Sequence, residues 1–472
     1  MRKTKIICTI GPASREEDVI RSLFQAGMNV GRFNFSHGSY DEHEEIIRRF
    51  RKVRDELGVP GAVMLDTKGP EIRVRTFEGG STELLTGQHF VLTTKEITGN
   101  SEAVSVTYKD LPSDVKKDDV ILMDDGKLTL KVLEVSADEV KCTVQNGGIL
   151  KDHKGINVPD VVLSMDYLSD VDKSDLLFGI ENGVDYVAAS FIRNEEDVQA
   201  IRTFLNKNGG NDIGLIAKIE NTQGVENFEK ILKLVDGIMV ARGDMGVEIP
   251  YERLPVIQKH FIRRCVQSGK IVITATQMLE SMIINPMPTR AEITDVANAV
   301  FDGTSAVMLS GETAAGAYPV EAVQAMARIA VQAETDTLIA AGKPVLRREM
   351  DVKDITNAVG HAASTLADDI NARALLAVTQ SGFTARRVSK FRPNVEIIGA
   401  TPTEKAFHQL SLEWGVQPLK TEHKDRLTEL FRHCADKAME KGMIQDGDLV
   451  VITAGVPIGR TGDTNMIRVM EA

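Results

Sequence analysis

Three things are scarce in this 472-residue chain: cysteine, net positive charge and long apolar runs. Its four cysteines, Cys8, Cys142, Cys265 and Cys434, are widely separated, and none forms a Cys-x-x-Cys pair. That spacing excludes a zinc knuckle and a disulfide framework and fits reduced thiols in a cytoplasmic protein. Lysine and arginine total 56 against 68 acids, a formal charge of -12. An acidic surface argues against nucleic-acid partners, which need a basic face, yet permits a local cationic pocket around a small anion. No stretch reaches the roughly 18 apolar residues that span a bilayer. The run 6–10 behind Arg2 and Lys3 is too short for a secretory signal and ends at Gly11-Pro12. Neither a Walker phosphate loop nor a Gly-x-Gly-x-x-Gly element occurs, which sets aside the common nucleotide-binding folds.

What is present is a repeating unit. Such a length points to two to four domains. Strand-length apolar runs occur at 5–10, 28–33, 62–66, 186–190, 214–219, 237–241, 271–275 and 305–309. Helical spacing separates many of them, as at 15–25, 43–57, 195–205 and 225–234. Eight such units, with strands apolar on both faces, imply a closed (β/α)8 barrel of the α/β class. From 71 to 157 the pattern changes to period-two alternation, with hairpin-type turns at Asp124-Asp125-Gly126 and Asn146-Gly147-Gly148. This segment reads as a small β-barrel domain inserted into the barrel (1–70 and 158–340), placed to act as a lid. Residues 341–351 read as a linker opening a C-terminal open α/β domain, 341–472.

Barrel enzymes carry their chemistry at the carboxyl ends of the strands. Here those ends offer Arg32, Asn34, Ser36 and His37; Asp66 and Thr67, followed by Lys68 and Arg73; Lys218 and Glu220; Arg242-Gly243-Asp244; Thr274 and Thr276; Ser310 and Glu312. The ends of the first and fourth strands read as bland. Lys218 and Glu220, two apart on a strand, point to one face. A lysine there is a point charge for a phosphate or a developing oxyanion. Glu220 with Asp244 on the next strand suits magnesium. A Lys–Glu ion pair capping the barrel is the plainer reading, and Asp244, Arg32 and Arg73 together outweigh it. Gly243 and Gly246 let backbone N–H groups approach a carboxylate, or simply form a turn. Thr276 would donate to that carboxylate or cap a helix. In the last domain, residues 379–384 join a strand to a helix and read equally as an anion pocket or as N-capping by Ser381 or Thr384. The loop 455–465 is placed to close over that anion.

At these residues the chain resembles pyruvate kinase, through blocks in the same order over nearly its whole length. They include KIICTIGP (5–12), NFSHG (34–38), LDTKGPEIR (65–73), AKIEN (217–221), IMVARGDMGVEIP (238–250), ITATQML (273–279) and AVMLSGET (306–313). The resemblance implies phosphoryl transfer from phosphoenolpyruvate to ADP, giving pyruvate and ATP. It implies Lys218, Arg32 and Thr276 as catalytic groups, Glu220 and Asp244 as ligands of Mg2+ (or Mn2+), and the substrate carboxylate on Gly243, Asp244 and Thr276. It places Asn34, Phe35, Ser36, His37, Arg73 and Lys154 toward the nucleotide. It makes Asn34, Ser36, Asp66 and Thr67 ligands of K+, with Glu71 the acid of potassium-dependent members. It further implies a cytoplasmic homotetramer and a phosphorylated allosteric effector at Thr379, Ser381, Gly382 and Thr384. A water relay through Thr276, Ser310 and Glu312 is a candidate route for protonating the enolate.

The departures are few. Gly31 stands where a larger residue is common, Phe33 stands where leucine is, and the return to the barrel, 163–175, lacks the family's proline. Two rivals are a magnesium-dependent barrel lyase acting on pyruvate-like enolates and an inactive relative serving as a metabolite sensor.

Overall fold

The computed structural model describes residues 2–341, 354–457 and 462–472. Eight parallel strands form a closed barrel: β1 (Lys5–Thr9), β2 (Val30–Asn34), β3 (Ala62–Asp66), β4 (Tyr186–Ala189), β5 (Gly214–Ile219), β6 (Gly237–Ala241), β7 (Ile271–Ala275) and β8 (Ala306–Leu309). Each pairs with its sequence neighbour, and β8 pairs with β1. Alternate residues of each strand serve two cores. Ile7, Val30, Met64, Ile216, Met239 and Ile273 fill the interior, while Ile6, Cys8, Phe33, Leu65 and Val240 pack outward against the helices. This double burial is why the strands are apolar on both faces. All four cysteines are free and buried.

The helices carry their own punctuation. Tyr40–Leu57 starts at a capping box of Ser39 and Glu42 and ends at Gly58, whose φ of 63° is left-handed. The helix expected at 225–234 is two, Thr222–Glu226 and Phe228–Leu234, divided at Asn227. Gly31 has a packing cause: a Cβ there would lie 2.6 Å from the Phe50 ring. Phe33 meets the same ring edge-on, with centroids 5.9 Å apart. The large residue missing from position 31 is thus supplied by a helix.

The inserted segment is a seven-stranded sheet around its own core, with Phe90, Val104, Leu130, Val132 and Val140 at its centre. Its first strand, Ile72–Arg73, pairs antiparallel with its last, Gly155–Asn157. A bridge between Val74 and Val106 draws the two edges together. Asp124–Gly126 turns a hairpin between Val120–Met123 and Leu128–Val135, and Asp124 and Asp125 take positive φ. The second expected hairpin turn is not one. After Asn146 the chain leaves the sheet, and Gly148–Lys151 pairs with Ser81–Leu84 instead. Gly147 lies against Leu84, where a Cβ would sit 2.3 Å from its carbonyl oxygen, so the glycines serve close backbone approach.

The last domain has five strands: β9 (Ala374–Val378), β10 (Glu396–Thr401), β11 (Val416–Lys420), β12 (Leu449–Ala454) and β13 (Met466–Glu471). Their order is β11-β10-β9-β12-β13, parallel except for β13. This domain closes the barrel floor, where Leu412 joins the interior core and the Tyr186 hydroxyl donates to the Gln409 carbonyl at 2.8 Å. Beyond Ala341, the stretch read as a linker lies outside the described residues. Among the described residues, no helix is long and apolar enough to cross a membrane.

Candidate active site

Parallel strands aim their carboxyl ends one way, and at this end a buried ionic network forms. Asn34 and Asp66 are register partners on β2 and β3, so the residues following each are neighbours. Asp66 is the hub. Its Oδ2 accepts from Arg32 Nε at 2.6 Å, and its Oδ1 accepts from Lys218 Nζ at 3.1 Å. Burial opposes its charge, but Arg32 and Lys218 outweigh burial and hold the carboxyl below its usual range. Arg32 is fixed on its other side by the Thr9 hydroxyl, 2.9 Å from Nη1.

Lys218 is 8% exposed and meets three oxygens: Asp66 Oδ1, Glu220 Oε1 at 3.0 Å and Ser190 Oγ at 2.6 Å. Burial alone would strip its proton; the Asp66 and Glu220 charges reverse that and raise its pKa. The ammonium is therefore a permanent buried cation. Glu220 is 1% exposed, and burial pushes its carboxyl up to about 8, against the pull of Lys218 and with the nearby Asp244 charge adding to the rise. Its Oε2 accepts from the Phe191 N–H at 2.6 Å. Its Oε1 accepts no hydrogen bond of good geometry despite the neighbouring ammonium. Phe191 takes φ 55°, a conformation that L side chains rarely adopt.

The Asp244 charge thus adds to the cost of ionising buried Glu220, one of whose oxygens is unsatisfied. Such a carboxylate pair fits a divalent cation, which would offset the cost at Glu220 and give its free oxygen a partner. Among the described residues no cluster of three or more His, Cys, Asp or Glu is arranged for a metal, so substrate and water oxygens would complete the shell. The proposed K+ ligands also fit a monovalent ion. Asp66 uses two of about four lone-pair positions, on Arg32 and Lys218, because the single Ser190 proton goes to the Thr67 carbonyl, and Asn34 Oδ1 accepts only a 3.2 Å bond from the Ser36 N–H.

Gly243 and Thr276 are joined: the Gly243 N–H donates to Thr276 Oγ1 at 2.7 Å, and that hydroxyl donates to the Ala275 carbonyl at 2.6 Å. Thr276 and Gln277 have φ of 67° and 54°. A substrate carboxylate here would take over the Gly243 N–H. Arg73 is turned toward Glu71, 2.7 Å away, and to the His153 carbonyl at 2.8 Å. Lys154 is ion-paired with Asp124 at 2.6 Å. Both line a cleft of roughly 1230 Å3 between insert and barrel, together with Asp244, Phe191 and Glu248. His37 is exposed, but the Phe35 ring is buried and stacked on His43 at 4.1 Å, so only its backbone is available to a ligand.

Two readings from sequence need correction. Neither strand end read as bland is so: Thr9, the last residue of β1, accepts from Arg32 at 2.9 Å, while beyond β4 the Ser190 hydroxyl accepts a hydrogen bond from Lys218 and donates to the Thr67 carbonyl at 2.7 Å, and the Phe191 N–H donates to Glu220. The Ser190 hydroxyl is the same signal that marked Ser36, Thr67 and Ser310 at other strand ends, so testing every strand end alike would have found it, whereas a role carried by the Phe191 backbone N–H leaves no mark in the sequence. Glu312 is fully buried, and its oxygens accept from the backbone N–H groups of Leu279 and Ser310, so it holds two loops and is not free to relay protons.

In the last domain Thr379, Ser381 and Thr384 line a small open pocket with His423 and Lys424. Gly382, φ 82°, precedes helix Phe383–Lys390. Thr384 accepts a hydrogen bond from the Thr464 hydroxyl at 3.1 Å, and the Ser381 carbonyl accepts from Arg386 at 2.7 Å. Part of the loop 455–465 lies outside the described residues.

A closed β/α barrel with a buried cation, a carboxylate pair and an inserted β-domain beside them defines a barrel enzyme built to hold an anionic substrate. Family comparison makes this specific. The pyruvate kinase barrel domain matches residues 1–323, and the pyruvate kinase alpha/beta domain matches residues 357–470. Pyruvate kinase of Clostridium acetobutylicum is 48% identical over 99% of this chain and 99% of its own. That of Staphylococcus haemolyticus is 48% identical over 99% of this chain and 80% of its own. The crystal structure of a pyruvate kinase from Cryptosporidium parvum superposes with a TM-score of 0.93 at 38% identity, covering 100% of this chain and 96% of that one. The chain belongs to the pyruvate kinase family. It is a phosphotransferase acting between phosphoenolpyruvate and ADP.

Proposed function

We propose that Lys218 and Arg32 bind the transferring phosphoryl group, and that Lys218 also stabilises the enolate left behind. The observation that carries this is the permanently charged ammonium, buried among Asp66, Glu220 and Ser190 at the strand ends. An oriented cation in a site of low polarity stabilises developing negative charge without reorganising at the moment of reaction. The P–O bond to the enol breaks as an ADP phosphate oxygen bonds to phosphorus, and the electron pair stays on the enolate oxygen. The substrate carboxylate rests on the N–H groups of Gly243 and Asp244 and on Thr276, which keeps the enol phosphate in one orientation.

Glu220 and Asp244 hold Mg2+ (or Mn2+), and Asn34, Ser36, Asp66 and Thr67 hold K+. Bound there, the divalent ion supplies Lewis-acid polarisation of the phosphoryl oxygens. Arg73 and Lys154 take the nucleotide phosphates after giving up Glu71 and Asp124, with the backbone of 34–37 beside them. The insert, 71–157, is the lid of the barrel formed by 1–70 and 158–340. The pocket at Thr379–Thr384 takes a phosphorylated effector, supported by its hydroxyls and by Lys424. The enzyme works in the cytoplasm as a homotetramer. Exposed Tyr251, Val256, Ile284 and Met287 around the barrel support self-association.

The test is ADP-dependent pyruvate formation by the native chain and by Lys218→Met. The native enzyme turns over with Mg2+ and K+, and the variant loses turnover while still binding Mn2+. A variant that keeps native turnover overturns the role given to Lys218.

A further inference from the structure

One carboxylate in the cleft is not used by the chemistry above, yet it joins three parts of the site. Glu248 ends helix Arg242–Glu248, one turn after Asp244. Its Oε2 accepts from the Thr222 N–H at 3.3 Å, two residues past Glu220. Its Oε1 accepts from Asn157 Nδ2 at 3.2 Å. Asn157 is the last residue of the insert's exit strand and is paired in register with Leu122 of the insert's sheet. The same helix comes close to the insert a second time, at the hairpin turn, where a Cβ added to Gly126 would lie 3.6 Å from Val247 Cγ1.

We propose that Glu248 is a positioning residue that couples the insert to the spacing of the Glu220 and Asp244 carboxylates. This rests on the reading of those two as metal ligands. A two-turn helix moves as one body, so a pull on Glu248 displaces Asp244 with it. The Thr222 bond ties the same carboxylate to the segment that carries Glu220. When the insert leans on the barrel, Asn157 and the Gly126 turn hold the helix end, and the two ligands stand at one separation. When it swings away, that hold is lost and the pair relaxes. Metal affinity then reports lid position, and nucleotide that closes the lid tightens the metal site, as reciprocity between coupled sites requires.

The test measures direct Mn2+ binding by electron paramagnetic resonance on the full chain without nucleotide, beside KM for ADP and the thermal midpoint. Removing a group that orients a metal ligand weakens affinity by about 10- to 100-fold. Glu248→Ala is expected at the lower end of that range, about tenfold, with KM for ADP raised in step. Asn157→Ala gives a smaller weakening in the same direction, and the double variant is no weaker than Glu248→Ala alone, because both remove one link. Glu248→Gln, which keeps an acceptor, recovers part of the affinity. Unchanged Mn2+ affinity in both single variants, or additive losses in the double variant, overturns the coupling. If Glu248→Ala does not fold, Asn157→Ala alone decides through its Mn2+ affinity. If the native chain binds no Mn2+, the assignment of the carboxylate pair falls, and the coupling with it.

Discussion

Removing the Ser190 hydroxyl tests how far the active-site lysine depends on a neutral partner. In Ser190→Ala, Lys218 keeps Asp66 and Glu220 but loses the acceptor at 2.6 Å, its shortest contact. The hydroxyl carries a single proton, which the 2.7 Å bond to the Thr67 carbonyl takes, so its lone pairs face Lys218. Hydrogen bonds to charged groups contribute about 1.5–3 kcal/mol. Two anions still anchor the ammonium, so the lower end applies, and about 1.4 kcal/mol in the barrier is roughly tenfold in rate. The expected outcome is a fall in kcat of about tenfold with little change in KM for phosphoenolpyruvate, because the carboxylate contacts of Gly243 and Thr276 remain. The buried Thr67 carbonyl loses its side-chain donor as well, which costs roughly 1–3 kcal/mol of stability. Ser190→Thr, which keeps the hydroxyl and so both bonds, is expected to restore both rate and stability. A kcat for Ser190→Ala within about twofold of native refutes the argument, since a bond to the reacting cation cannot be lost without a rate effect of that order.

Three more predictions follow from packing, charge and the carboxylate pair. Gly31→Ala forces the Phe50 ring aside and lowers stability by about 1–3 kcal/mol in a denaturant titration, with kcat nearly unchanged; unchanged stability means the helix gives way freely. Asp185 is 3% exposed, and burial, only partly offset by Lys405, raises its carboxyl from 3.8 to about 6. A raised acid favours the folded state below its unfolded pKa, and that contribution is lost as pH rises through about 6. Asp185→Asn therefore stabilises the fold at about pH 8, by at most ~3 kcal/mol and visible as a raised thermal midpoint, and not at about pH 4; a gain equal at both ends refutes the cause. Chelation by EDTA abolishes turnover, and added Mg2+ or Mn2+ restores it; turnover that persists in excess chelator removes the role given to Glu220 and Asp244.

The barrel was legible because its signal is redundant. Eight strands buried on both faces produce apolar runs that no single substitution hides, and the side chains of Lys218 and Glu220 share a face by strand geometry alone. What stayed hidden depends on partners far apart in sequence. Gly31 reads as a departure until Phe50 is seen against it, and the role of Ser190 exists only beside Lys218. Glu312 looked available for proton transfer because a sequence does not show which backbone N–H groups will claim a carboxylate. Asn146–Gly148 has the composition of a hairpin turn, but the strand that follows finds its partner at Ser81–Leu84. The Arg73 and Lys154 side chains face the cleft; Arg73 is held by Glu71, two residues away, but Lys154 is held by Asp124, an acid that sequence spacing gave no reason to pair with it.

The antiparallel pairing of Ile72–Arg73 with Gly155–Asn157 has a mechanical consequence. Paired residues on such strands stand only about 5 Å apart, so the barrel is interrupted by no more than the width of a tight turn. The insert therefore meets the barrel through two strands paired with each other at the edge of its sheet and not through two independent tethers. A ribbon of this kind flexes across its flat face far more easily than it shears along its length, because shear breaks ladder hydrogen bonds in concert. The two ends of the insert are thereby held at one spacing and in one register where they meet the barrel.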